Sequence, residues 1–225
     1  MTDDREELIA RAEQQAWIDD PTTGFTAPTE WTVGSLVHPD AGWDGVRIIH
    51  RTEGERRDVW EYEFTRDSAP AGQATTVPVG IVWDKTNEDL RARVYYNKAL
   101  FGMSEPRRPL VAPEDLPLPE EMARYGTAIR AGDRAGLEAV IHPEAQLNSP
   151  FGPIEREQFI GGFSTPDQYG RKGVPVQFCT ITGVDGGFAT EFISWRRPPH
   201  GGLSVYLFRD GRLFSMRMYE GPVYR

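Results

Sequence analysis

The groups from which this sequence can build a reactive site are few. His50 ends the run Val46-Arg-Ile-Ile-His. Imidazole titrates close to neutral pH, so an inward-facing His50 is the first choice for a general acid or base; the alternative is an edge histidine making one hydrogen bond. Glu191 sits between Phe188, Phe192 and Trp195 in Phe-Ala-Thr-Glu-Phe-Ile-Ser-Trp. Inside an apolar cavity its pKa would rise towards that of a useful base, whereas strand alternation equally allows it an outward, solvated place. Glu61 in Val-Trp-Glu-Tyr-Glu-Phe faces the same choice and shares its side with Glu63.

Arg93, Tyr95 and Tyr96 in one half, with Arg217 and Tyr219 in the other, form a polar aromatic set. An arginine inside would steady an oxyanion or phenolate, and outside it would serve an inter-domain or dimer contact. Tyr125 is either a donor into a pocket or a core tyrosine. Met216 and Met218 with Tyr206 suit an adaptable pocket wall or plain core. The expected catalytic set is therefore His50, Glu191, Tyr125, Arg93 and Tyr96. Glu61, Trp195, Tyr206, Met216, Met218, Arg217 and Tyr219 are expected to contact substrate. His38 and His142 each precede proline and read as turn residues, and His200 in Pro-Pro-His-Gly-Gly as a hairpin tip.

These residues must be carried by regular elements, and the pattern supplies them twice. Residues 5–20 have helical spacing, and two prolines and a glycine break it at 21–29. From Val46 the period becomes two, giving strands at 46–51, 58–64, 75–84 and 90–97. Residues 104–119 hold five prolines in sixteen positions, a density that reads as a stiff extended connector. Helices follow at 119–133, 134–141 and 155–163, then strands at 174–183, 188–197, 203–211 and 212–221. The halves match in order: His-Pro-Asp-Ala at 38–41 with His-Pro-Glu-Ala at 142–145, Glu61 with Glu191, and Arg-Ala-Arg-Val-Tyr-Tyr with Ser-Met-Arg-Met-Tyr-Glu. We read a diverged tandem repeat: a reduced first unit (1–103), a connector (104–118) and a second unit (119–225).

The second half, through Ala-Arg-Tyr-Gly-Thr-Ala-Ile-Arg-Ala-Gly-Asp, His-Pro-Glu-Ala-Gln-Leu-Asn-Ser-Pro-Phe-Gly and the closing strands, resembles the SnoaL-like branch of the nuclear transport factor 2-like superfamily, which includes ketosteroid isomerase. The resemblance implies an α+β fold of two tandem cones, each a curved, mostly antiparallel sheet on two or three helices with an apolar pocket. It also implies pairing through sheet faces, here within one chain, with homodimers or higher homo-oligomers possible. Tyr125 falls at the isomerase's oxyanion tyrosine. Its general-base and protonated aspartates are replaced by Ser149 and Ser204, which rules out steroid-type isomerisation by that constellation. The resemblance points to a cofactor-independent lyase acting by elimination or C–C/C–O cleavage on an aromatic or polycyclic compound. A polyketide-type cyclase, an epoxide hydrolase and a non-catalytic binding protein are the alternatives.

Composition narrows the partners. With 25 basic against 34 acidic residues in 225, the net charge of -9 argues against nucleic acid and anionic membranes. One cysteine excludes an intramolecular disulfide framework, and four scattered histidines lack metal-ligand spacing. No nucleotide-binding signature occurs, so neither cofactor nor metal is expected. The acidic N-terminus is no signal peptide and no run approaches a membrane span, so the expectation is a cytoplasmic protein.

Overall fold

A computed structural model describes residues 4, 6, 7, 16–18, 43–67, 75–85, 91–97, 100, 109–195 and 198–219. The readings on residues 21–42, His38 among them, lie outside these. The helix expected over 5–20 also lies mostly outside; of its described residues, Glu6 and Glu7 are helical, whereas Ala16–Ile18 is a strand, β1.

The four period-two segments form β2 (Gly45–Glu53), β3 (Arg57–Thr65), β4 (Thr76–Asp84) and β5 (Arg91–Tyr96). With β1 they make one sheet, ordered β1-β5-β4-β3-β2, antiparallel except for the β1–β5 pair. The second half opens with α1 (Glu120–Ala131) and α2 (Arg134–Val140), followed by β6 (Ile141–Ser149) and β7 (Gly152–Ile154). Then come α3 (Arg156–Ser164), β8 (Val176–Phe178), β9 (Gly187–Ser194), β10 (His200–Arg209) and β11 (Arg212–Met218). The second sheet runs β7-β6-β11-β10-β9-β8. The architecture is α+β, with two antiparallel-rich sheets and three helices among the described residues. None of these helices is long and apolar enough to cross a membrane.

β6 is absent from the sequence reading, which ran a helix into a turn there. Its residues are mostly half-exposed, so no alternation marks it, and Pro143 falls in the gap where its pairing with β11 is irregular. α1 follows its sequence signals. Pro119 precedes it, Glu120 and Glu121 favour its N-terminus, and Gly132 closes it at φ 61°, a left-handed turn that glycine adopts freely. Met122, Tyr125 and Ile129 form its buried stripe.

In each sheet two neighbouring strands, β3 and β4 in the first and β9 and β10 in the second, are buried on both faces. In the first, Trp60, Tyr62, Phe64, Val77, Val79, Ile81 and Trp83 share one face and form an aromatic core. In the second, Phe188, Phe192, Tyr206 and Met216 turn towards the helices. The opposite faces pack on each other, Val59, Val82 and Tyr95 meeting Ala189, Leu203, Val205 and Tyr219. Gly80 permits that approach. A methyl group built on it would strike Leu203 and lie 3.1 Å from the Tyr219 ring.

Two buried carboxylates cross this contact in opposite directions. Glu191 on β9 accepts from Arg93 Nε at 2.5 Å and Nη2 at 2.8 Å, from Tyr95 Oη at 2.7 Å and from Thr180 Oγ1 at 3.0 Å. Glu61 on β3 accepts from Arg217 Nε at 2.6 Å and Nη2 at 2.5 Å, and from the Tyr219 hydroxyl. These are the residues the sequence repeat pairs with each other. Glu61 corresponds to Glu191, Arg93 to Arg217 and Tyr95 to Tyr219, so each half receives the carboxylate of the other. Burial disfavours charge on Arg93 and Arg217, but the adjoining carboxylates outweigh it and hold both guanidinium pKa values above the ordinary one.

Removing one partner from such a pair strands the other charge in the interior. Glu191→Ala is expected to cost about 3–5 kcal/mol in urea unfolding, whereas Arg93→Met with Glu191→Leu should recover most of that loss. A single-mutant cost below about 1 kcal/mol, the range of surface pairs, would contradict the buried exchange.

Candidate functional site

Between the inner face of the second sheet and α1 and α3 lies a cavity of about 330 Å³. Strand alternation decides which side chains reach it. Phe192 and Ser194 on β9, His200 and Tyr206 on β10, and Met216 and Met218 on β11 line one wall. Tyr125 and Ile129 come from α1, and Phe159, Gly162 and Phe163 from α3. Ser149, Pro150 and Phe151, at the turn from β6 to β7, complete the rim. No Asp, Glu, Lys or Arg side chain among the described residues lines the cavity. Among the described residues, no cluster of three or more His, Cys, Asp or Glu side chains is arranged to hold a metal ion.

The polar groups on this wall are neutral ones. The rings of Tyr125 and Tyr206 lie 5.4 Å apart, and the Tyr125 hydroxyl donates to Met216 Sδ at 3.7 Å. Burial pushes the Tyr206 phenol up to about 12, Ser204 and Thr190 pulling slightly the other way. Burial, and then the neighbouring Tyr206, raise Tyr125 well above its ordinary value. His200 is 2% exposed, and its Nδ1 lies 3.3 Å from the Pro198 carbonyl oxygen. A carbonyl only accepts, so in this contact Nδ1 is the donor.

Of the residues singled out by sequence, the structure brings Tyr125, Tyr206, Met216 and Met218 to the cavity. Glu191, Arg93, Glu61, Arg217 and Tyr219 are instead held in the contact between the sheets. Glu191 is one residue from Phe192, so it must point to the opposite face. Tyr96 is part of the aromatic core of the first sheet, and His50, on β2, stands opposite Glu61 in the strand register. Neither reaches the cavity. Trp195, just beyond β9, is 46% exposed and donates to Gln177 Oε1 at 3.2 Å.

His200 is not at a hairpin tip. It opens β10, opposite Ser194, and both residues face the cavity. The signal for it was parity, since His200 lies an even number of residues before Tyr206 on one strand. The flanking prolines and glycines masked that signal by reading as a turn. His142 keeps a local role, its Nδ1 accepting from the Glu144 amide at 3.1 Å.

No family model matches the chain, and no curated protein is significantly similar to it. Solved structures of the nuclear transport factor 2-like type are similar. An NTF-2 like protein from Burkholderia xenovorans is 20% identical over 47% of this chain and 84% of its own, with a TM-score of 0.39. An LEH-like epoxide hydrolase from M. tuberculosis is 18% identical over 45% and 80%, TM-score 0.38. A protein of ketosteroid isomerase-like fold from Catenulispora acidiphila, solved with trimethylamine, is 15% identical over 47% and 88%, TM-score 0.38.

The raised phenols have a consequence at alkaline pH. The folded-state pKa of Tyr206, about 12, lies above the ordinary value of 10.0. The stability linked to its neutral form is therefore complete below about pH 10 and lost as the pH rises towards 12. Tyr206→Phe is expected to move the alkaline unfolding midpoint upward, and tyrosinate absorbance in the wild type should reach its full value only on unfolding. An unmoved midpoint in the variant would contradict this placement of the phenol.

Proposed function

We propose that the chain is an acid–base enzyme that binds an uncharged, largely apolar small molecule in the cavity of its second half. The observation that carries this reading is the cavity wall: aromatic and thioether surface, no Asp, Glu, Lys or Arg among the described residues, and polar groups limited to an imidazole, two phenols, two serines and the Gln158 amide. An ionic ligand would be desolvated there without a counter-charge, whereas a neutral ring system loses little and gains apolar contact. In this scheme His200 takes a proton through Nε2, and Tyr125 and Tyr206, kept protonated by burial, donate towards an oxygen that gains charge. Proton removal followed by loss of a leaving group is a lyase reaction and needs no redox partner. An aromatic or polycyclic substrate suits the flat Phe178, Phe192 and Tyr206 walls.

The lack of a carboxylate on the wall favours a second reading, in which the cavity carries a ligand without transforming it. His200 separates the two. Under the enzymatic reading His200→Gln abolishes turnover and keeps binding; under the carrier reading no compound that binds is transformed by the wild type.

Gly162 offers a direct test of location. A methyl group built on it meets nothing within 4 Å, so a large side chain there enters the cavity without striking the backbone. Gly162→Phe is expected to leave the fold intact and weaken binding of neutral fused-ring compounds by at least about a hundredfold, a loss near 3 kcal/mol, measured by titration calorimetry. Undiminished binding would place the ligand elsewhere.

A further inference from the structure

Ser194 and His200 are direct partners in the antiparallel pairing of β9 and β10, so both stand at the same end of the cavity. The Ser194 hydroxyl is buried, at 2% exposure, and makes no hydrogen bond within the protein. Thr190 and Ser204, on the same face of these strands, also make no hydrogen bond, but of the three only Ser194 lines the cavity. Ser149 Oγ donates to the Gly152 carbonyl at 3.0 Å and accepts from the Phe151 amide at 3.2 Å. Tyr125 donates to Met216 Sδ at 3.7 Å. An orphaned hydroxyl destabilises the empty fold, and an alanine would avoid that cost at the same volume. For Ser194, unlike Thr190 and Ser204, a group that offsets this cost can come from the cavity, whose wall is otherwise mostly apolar.

On the reading of this cavity as a ligand site, we infer that Ser194 determines its specificity, donating its O–H to a neutral oxygen, a ketone or phenol oxygen, of an otherwise apolar ligand. The register sets that oxygen beside His200. A carboxylate is refused there because no Lys or Arg among the described residues lines the wall. The oxygen is thus held at the end of the cavity where His200 lies, which orients the ring system along Phe192 and Met216.

The test uses the full chain with tetralone, a fused-ring ketone, and tetralin, its oxygen-free counterpart. Wild type is expected to prefer the ketone, and Ser194→Ala to lose about tenfold in affinity for tetralone with tetralin unchanged. The same variant, relieved of an orphaned hydroxyl, should melt about 2–4 °C higher when empty. Ser194→Thr, which keeps a hydroxyl, should retain the ketone preference. Equal weakening of both ligands would make Ser194 a packing residue, and unchanged tetralone affinity would leave its hydroxyl to water. Either result overturns the assignment while the ligand site stands. Failure of wild type to bind either compound would overturn the ligand site and the serine's role with it.

Discussion

A carboxylate inside a protein must be matched by positive charge and hydrogen bonds, and this fold meets that requirement twice by exchange. Glu61 and Glu191 stand on the strands next to one edge of their sheets, almost wholly inaccessible, and each is held by an arginine and a tyrosine from the other half. The exchange fixes which face of each sheet turns inward to its partner. Once that parity is set, every alternate residue on β9, β10 and β11 is committed to the opposite face, and the cavity wall follows from it. The interface and the cavity are two sides of one choice of register.

The halves use their inner faces differently. The first fills the space beside its sheet with Trp43, Trp60, Trp83, Tyr62 and Phe64. The second leaves a cavity of about 330 Å³ between its sheet and the helices. Related strands thus border a packed core in one half and a cavity in the other. The sheet-to-sheet contact, which both copies need, keeps the same Glu, Arg and Tyr.

Much of this was legible in the sequence. The period-two segments marked β2 to β5, and helical spacing marked α1 to α3. The ordered matches between halves paired Glu61 with Glu191 and the two arginines with each other. What sequence did not reveal was the direction in which these residues point. β3, β4, β9 and β10 are buried on both faces, so polar and apolar positions do not alternate along them, and flanking aromatics made Glu191 resemble a cavity residue. The counter-charge for Glu191 lies 98 residues away, a distance over which local pattern carries no information. Ser194 and His200 were missed for a related reason, since their pairing exists only in the register between β9 and β10.

The crossed carboxylates also impose an order on biosynthesis. Glu61 and the guanidinium that neutralises it are separated by 156 residues. At about 5–20 residues per second, the ribosome needs roughly 8–30 s to make that stretch. Throughout this interval the nascent first sheet carries a carboxylate on a face that is otherwise ready to pack. Water must remain there until Arg217, almost the last described residue, emerges. The charge thus acts as a timer, keeping the first half open to its own second half and poorly suited to a premature apolar partner.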